Sequence, residues 1–229
     1  MAAPIFGLLG RKLGHSWSVP IHAALGCTDY RLIELEPEDL PAFLQQENLG
    51  GLNVTIPYKR DVMPYCDVID PQAQAIGSVN TLCRRSDGKL CAWNTDAAGF
   101  SYMARRAGIS FAGRKVVILG SGGASLTAQY VARQEGARAV VVISRSGPDN
   151  YANLARHADA DIVVNTTPVG TYPNNGQSPV DLTVFPACKG VLDVVYNPRR
   201  TALLLQAESL AIPCCDGLPM LVAQAKAAE

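Results

Sequence analysis

No stretch of this sequence is apolar for long enough to cross a bilayer, and the opening MAAPIFGLLGRK has too short an apolar core for a secretory signal. An excess of one charge is also missing. Twenty basic residues balance twenty acidic ones, and no long block of like charge stands out. That balance argues against nucleic acid or a membrane surface as the main partner. The seven cysteines (Cys27, Cys66, Cys83, Cys91, Cys188, Cys214, Cys215) include no Cys-x-x-Cys pair. Their odd number and scattered spacing point to reduced thiols in the cytoplasm. His15, His22 and His157 make no ligand spacing with them, so no metal is expected. Repeats and low-complexity tracts are absent too. What remains is a chain of 229 residues, nearly half of them apolar, enough for one large domain or two small ones.

What is present is an alternation of strand-like and helix-like periods. PIFGLLG reads as a strand, 19–25 as a short helix, DYRLIELE (29–36) as a strand and 37–46 as a helix with proline in its first turn. GLNVT is a third strand and 70–76 a helix. VNTLCRR and KLCAWN flank Asp87-Gly88, a two-residue hairpin turn signal, and Thr95 or Asp96 caps a helix running to about 107. From Gly113 the pattern changes. KVVILG is a continuous apolar strand of the doubly buried, parallel kind, and ARAVVVIS, DIVVNTT and GVLDVVY are further strands, alternating with helical stretches in a doubly wound sheet. The expected architecture is α/β with two domains. An N-terminal α/β domain spans 1–98, a Rossmann-like doubly wound domain spans 99–217, and 218–229 returns to the first.

KVVILG runs into Gly120-Ser121-Gly122-Gly123-Ala124-Ser125 and then a helix. A strand feeding a glycine turn into a helix start lets backbone N–H groups approach a pyrophosphate. Ser125 stands where the third glycine of the usual fingerprint would be. The following strand ends in Ser144-Arg145-Ser146, without the acidic residue that holds a free ribose 2′-hydroxyl. A guanidinium between two hydroxyls suits a 2′-phosphate, so NADP is inferred over NAD.

The stretch GLNVTIPYK (51–59) reads as a strand that stops at Pro57, with Asn53 and Thr55 on one face and Lys59 carried round by the turn. An amide, a hydroxyl and an ammonium converging there would hold a polyhydroxylated, anionic small molecule. Trp93-Asn-Thr-Asp96 and His15-Ser16-Trp-Ser18 are further polar clusters at strand ends, where α/β folds bind ligands.

These residues carry a resemblance. GHSWSVPIH (14–22), GLNVTIPYK, AIGSVNTL (75–82), NTDAAGF (94–100), LGSGGAS (119–125), SRS, NTTPVGTYP (165–173), DVVYNP (193–198) and DGLPMLVAQA (216–225) together resemble the shikimate dehydrogenases over nearly the whole chain. The resemblance implies NADP-dependent, reversible hydride transfer between nicotinamide and a ring carbon bearing a hydroxyl or ketone, in chorismate and aromatic amino-acid biosynthesis. It implies that Ser16 and Ser18 bind the substrate carboxylate and that Asn53, Thr55, Asn80 and Gln224 hold substrate oxygens, with Tyr196 nearby. Lys59 and Asp96 resemble the catalytic pair, and both would touch substrate. The glycine loop, Ser144, Arg145, Ser146, Thr167 and Pro168 resemble the NADP contacts, with Val194 and Gly217 near the nicotinamide. A small-molecule substrate and a monomer or homodimer follow from the same likeness.

An ammonium group is a poor proton shuttle near neutrality; burial and a neighbouring carboxylate act on it in opposite directions. Lys59 as the acid/base with Asp96 as its partner is therefore the favoured assignment, and the reverse stays open. Several positions depart from the family pattern. Pro20 stands one residue late, Ala23 replaces an asparagine, Arg11-Lys12 replaces a proline-containing stretch, and Ser-Arg-Ser replaces Asn-Arg-Thr. Only SGPDNYANLARHADA lies between Arg145 and Asp161. An edge strand of the dinucleotide sheet is therefore expected to be missing. The chain stops at Glu229, where family members usually continue; a trimmed chain or a piece of a fused enzyme are both open. Rival readings are a quinate or dual quinate/shikimate dehydrogenase, and a non-catalytic shikimate-binding module.

Overall fold

The apolar stretches fold as the periodicity predicts, into two separate sheets. The computed structural model describes residues 3–14 and 16–229, so His15 lies outside the described residues. The chain divides into two compact units. One runs to Thr95 and includes Gln224–Glu229; the other is Asp96–Ala223.

The first unit contains β1 (Ile5–Gly10), α1 (Ser18–Ala24), β2 (Arg31–Glu34), α2 (Leu40–Leu44), β3 (Leu49–Val54), β4 (Val68–Ile69), α3 (Pro71–Ile76), β5 (Thr81–Arg84) and β6 (Leu90–Trp93). The sheet order is β2-β1-β3-β5-β6-β4. β1 is parallel to both neighbours, β5 is antiparallel between β3 and β6, and β4 is parallel to β6. Leu9, Leu52, Val54, Leu82 and Ala92 point into one core with Tyr58 and Val62. The helix expected over 37–46 is shorter. Pro37–Asp39 form a 3₁₀ turn and α2 restarts at Leu40. Pro41 has no N–H to give an earlier turn, and is tolerated only at a helix start. The hairpin forms at Asp87-Gly88, but with a three-residue loop instead of the expected two: Arg84 pairs with Leu90, Gly88 has φ +83° and the Asp87 carboxylate accepts the Lys89 N–H at 3.1 Å.

The second unit contains α4 (Asp96–Arg106), β7 (Lys115–Leu119), α5 (Gly123–Gln134), β8 (Ala139–Ile143), β9 (Ile162–Asn165), β10 (Gly190–Asp193), α6 (Ala202–Ser209), β11 (Cys214–Cys215) and the start of α7 (Leu218–Ala228). All five strands are parallel, in the order β11-β10-β9-β7-β8. The chain leaves β7 for β8 on one side and returns to β9 on the other, so β7 and β9 enclose the topological switch point. β8 is the sheet edge. Between it and β9 there is only a 3₁₀ turn, Leu154–His157, so the shortened segment has left the sheet without a further strand. The helix expected from Pro198 begins instead at Ala202, because Thr201 caps it by accepting the Leu204 N–H at 3.3 Å.

Candidate active site

In the first unit two groups of hydrogen bonds hold most of the predicted substrate-binding residues. The Ser16 hydroxyl donates to Ser18 Oγ at 3.1 Å, and the Ser18 N–H donates back to Ser16 Oγ at 3.2 Å. The Tyr30 hydroxyl donates to Asn53 Oδ1 at 2.8 Å. Asn53 Nδ2 donates to the Asn80 carbonyl (3.4 Å) and Thr81 Oγ1 (3.3 Å). Thr81 donates to Asn80 Oδ1 at 3.1 Å, and Asn80 Nδ2 reaches Thr95 Oγ1 (2.9 Å) and Gln224 Oε1 (3.2 Å). Asn53 is 6% exposed and Asn80 2%, so each of these bonds replaces one to water. Burial pushes the Tyr30 phenol upward, which keeps its proton available to Asn53.

The backbone explains this convergence. The register sets Asn53 opposite Thr81 on antiparallel β3 and β5, so both side chains share a face. Thr55 leaves the strand with its N–H on the Leu9 carbonyl at 2.8 Å, and its methyl fills the space a Cβ at Gly10 would take. Tyr58 is fully buried and donates to the Leu35 carbonyl at 2.5 Å, which pins the turn after Pro57 to the end of β2. Lys59 follows, half-buried, its carbonyl accepting the Val79 N–H at 2.9 Å. Thr95 closes the unit, its N–H held by Asn80 Oδ1 at 2.7 Å. Asp96, the next residue, opens α4 in the second unit and is 6% exposed.

The glycine loop occupies the switch point. Gly120 has φ +105°, and a side chain there would press on Thr166 and Thr167 across from it, at 2.9 and 3.0 Å. Gly122 caps α5 without a side chain, and space is open where its Cβ would be. The first N–H groups of α5 have no partner within the helix. This is a fit for a pyrophosphate. Ser125, in place of the third glycine, is buried and accepts from Gln129 at 3.1 Å. Ser144, Arg145 and Ser146 follow β8. Arg145 and Ser146 are exposed, and the Arg145 charge acts on the neighbouring Tyr151 phenol, which burial pushes up and Arg145 draws back.

Thr167 and Pro168 follow β9, and Val194 and Tyr196 follow β10. Burial raises the Tyr196 phenol. Gly217 packs face-on against the Val194 backbone. Beneath these loops Asn165, Asp193 and Thr201 form a buried polar group that sequence reasoning missed, as it missed Tyr30, Thr81 and Thr95. For Asn165, Asp193, Thr81 and Thr95 the signal was present in the quoted NTT, DVVY, VNT and NTD motifs, where they stand beside residues that were singled out.

A mixed sheet with a run of buried hydroxyls and amides at its strand ends, joined in one chain to a parallel sheet with a glycine loop at its switch point, defines an enzyme of the dinucleotide-dependent class. Residues 8–82 match the family model described as shikimate dehydrogenase substrate binding domain. A shikimate dehydrogenase (NADP(+)) of Clostridium beijerinckii is 35% identical over 245 residues, covering 98% of this chain and 90% of the relative. Among solved structures, a chorismate mutase/shikimate 5-dehydrogenase fusion protein from Clostridium acetobutylicum superposes with a TM-score of 0.91 at 36% identity, covering 100% of this chain and 90% of that one. The shikimate 5-dehydrogenase of Thermus thermophilus, solved with NADP(H) and shikimate, gives 0.88 at 31% identity, with coverage of 98% and 91%. The chain belongs to the shikimate dehydrogenase family.

Proposed function

We propose that the protein reversibly reduces 3-dehydroshikimate to shikimate with NADP, a step of chorismate biosynthesis, in the cytoplasm. The observation that carries this reading is the hydrogen-bond run from Tyr30 through Asn53 and Asn80 to Gln224, with Ser16 and Ser18 bonded to each other in the same unit. Ser16 and Ser18 bind the substrate carboxylate. Asn53, Thr55, Asn80 and Gln224 hold substrate oxygens, with Tyr196 nearby. Lys59 gives a proton to the reduced oxygen, or takes it in the reverse direction, and stabilises negative charge as it develops there. Asp96 partners Lys59 and anchors the substrate.

NADP, when bound, supplies or accepts the hydride. Gly120, Ser121, Gly122, Gly123 and Ala124 would hold its pyrophosphate, and Ser144, Arg145 and Ser146 its 2′-phosphate. Thr167, Pro168, Val194 and Gly217 would line the nicotinamide side. The test is nicotinamide absorbance with shikimate and with quinate, each with NADP and with NAD. Turnover of shikimate with NADP is expected to dominate. Preference for quinate would move the reading to quinate dehydrogenase, and no turnover in any combination would favour a binding module.

A further inference from the structure

At the C-terminal ends of β9 and β10 lies a polar cluster closed to solvent. Asp193 and Asn165 are both 0% exposed. Asn165 Nδ2 donates to Asp193 Oδ1 at 2.9 Å. The same carboxylate oxygen accepts the Val195 N–H at 3.0 Å, and Oδ2 accepts the Thr201 hydroxyl at 2.7 Å. Asn165 Oδ1 accepts both the N–H (3.0 Å) and the hydroxyl (2.7 Å) of Thr167. A buried carboxylate is among the most costly groups a core can hold, and an apolar residue of like volume would avoid that cost. What the carboxylate and amide provide is reach across two loops, Thr167 after β9 and Val194–Val195 after β10. Gly217 holds the second loop from another side, its N–H donating to the Val195 carbonyl at 3.0 Å.

We propose that Asp193 and Asn165 are positioning residues for the cofactor, their shared hydrogen bond setting Thr167 and Val194 where NADP is held. The inference rests on the reading of Thr167 and Val194 as cofactor contacts. Neither Asp193 nor Asn165 needs to touch NADP; each acts through the loop it fixes. The arrangement is also sensitive to pH. Burial raises the Asp193 carboxyl to about 6, with Asp216 adding to the rise and Thr201, Val195 and Asn165 opposing it. Asp216 is the charged neighbour, and is itself paired with Arg199 at 3.1 Å. When Asp193 is protonated its donors meet a neutral acceptor and hold the loops less firmly.

The experiment is calorimetric titration of the full chain with NADP and, separately, with shikimate, between pH 5 and pH 7.5, with circular dichroism to show that each variant is folded. Asp193→Ala should weaken NADP binding about tenfold, the scale of one buried hydrogen bond lost, and leave shikimate binding unchanged. Asp193→Asn keeps an acceptor for Val195 and Asn165, so it should restore affinity to within about twofold at pH 7. The 2′-phosphate titrates in the same range, so the pH readout is the difference between wild type and Asp193→Asn, which should narrow toward pH 5. Should Asp193→Ala not fold, Asn165→Ala carries the same test. NADP affinity unchanged in folded Asp193→Ala or Asn165→Ala, with Thr167→Ala impaired, would overturn the positioning role. Unchanged affinity in all three would overturn the placement of the cofactor as well.

Discussion

Gly217 lies against the peptide of Val194 so closely that a Cβ at position 217 would overlap the Val194 carbonyl and stand 3.0 Å from its Cα. The obstacle is backbone on a strand end, which cannot swing aside. Gly217→Ala should therefore displace the loop after β10, cost about 1–3 kcal/mol of stability and weaken NADP binding. Thermal unfolding and NADP titration check both effects. A variant with wild-type melting and affinity would show that this loop has room to move.

Tyr30 ends the amide array, so Tyr30→Phe removes one buried hydrogen bond and leaves Asn53 Oδ1 without its donor. The expected loss is on the order of 1–2 kcal/mol in denaturant unfolding, with a several-fold weaker shikimate affinity. NADP affinity should not change. Equal weakening of both ligands would point to general loosening of the fold.

The buried carboxyl of Asp193 titrates at about 6 in the folded chain, against about 3.9 when unfolded. The folded state therefore holds this proton more tightly. The stabilisation is fully present below pH 4 and is lost as pH rises to about 6. Asp193→Asn, which cannot ionise, should gain on the order of 2–3 kcal/mol relative to wild type between pH 4 and pH 7. Urea unfolding at a series of pH values measures it. A constant difference across that range would mean the carboxyl is not raised.

Arg145→Gln should raise the KM for NADP by at least about tenfold and leave NAD kinetics nearly as they were, because the lost charge-assisted bonds serve only the 2′-phosphate. The effect should shrink at high salt. An equal rise with both cofactors would place Arg145 at another part of the dinucleotide.

Much of this was legible in the sequence. KVVILG read as a buried parallel strand because it is a continuous apolar run, and it is one; DIVVNTT and GVLDVVY read as strands and form β9 and β10. The short segment after Arg145 announced a sheet with no strand beyond β8. Two-residue strands such as Val68–Ile69 and Cys214–Cys215 carry no period to detect; their pairing comes from the neighbouring strand. The ligand-facing motifs were legible through resemblance, but the residues that brace them were not. Tyr30 lies in a strand-like run as an ordinary aromatic, and only the fold sets its hydroxyl beside Asn53. Asp193, inside an apolar strand, looks like a strand end until Asn165 and Thr201 appear around it.

The central claim is that Lys59 moves the proton and Asp96 is its partner. Shikimate binding by calorimetry, paired with kcat across the pH range for Lys59→Ala and Asp96→Asn, tests it most directly. The account predicts that Lys59→Ala binds shikimate nearly as well as wild type while kcat falls by about 10²–10⁴, and that Asp96→Asn both slows turnover and weakens binding. Shikimate binding abolished in Lys59→Ala, with the turnover that remains at saturation unchanged, would contradict it.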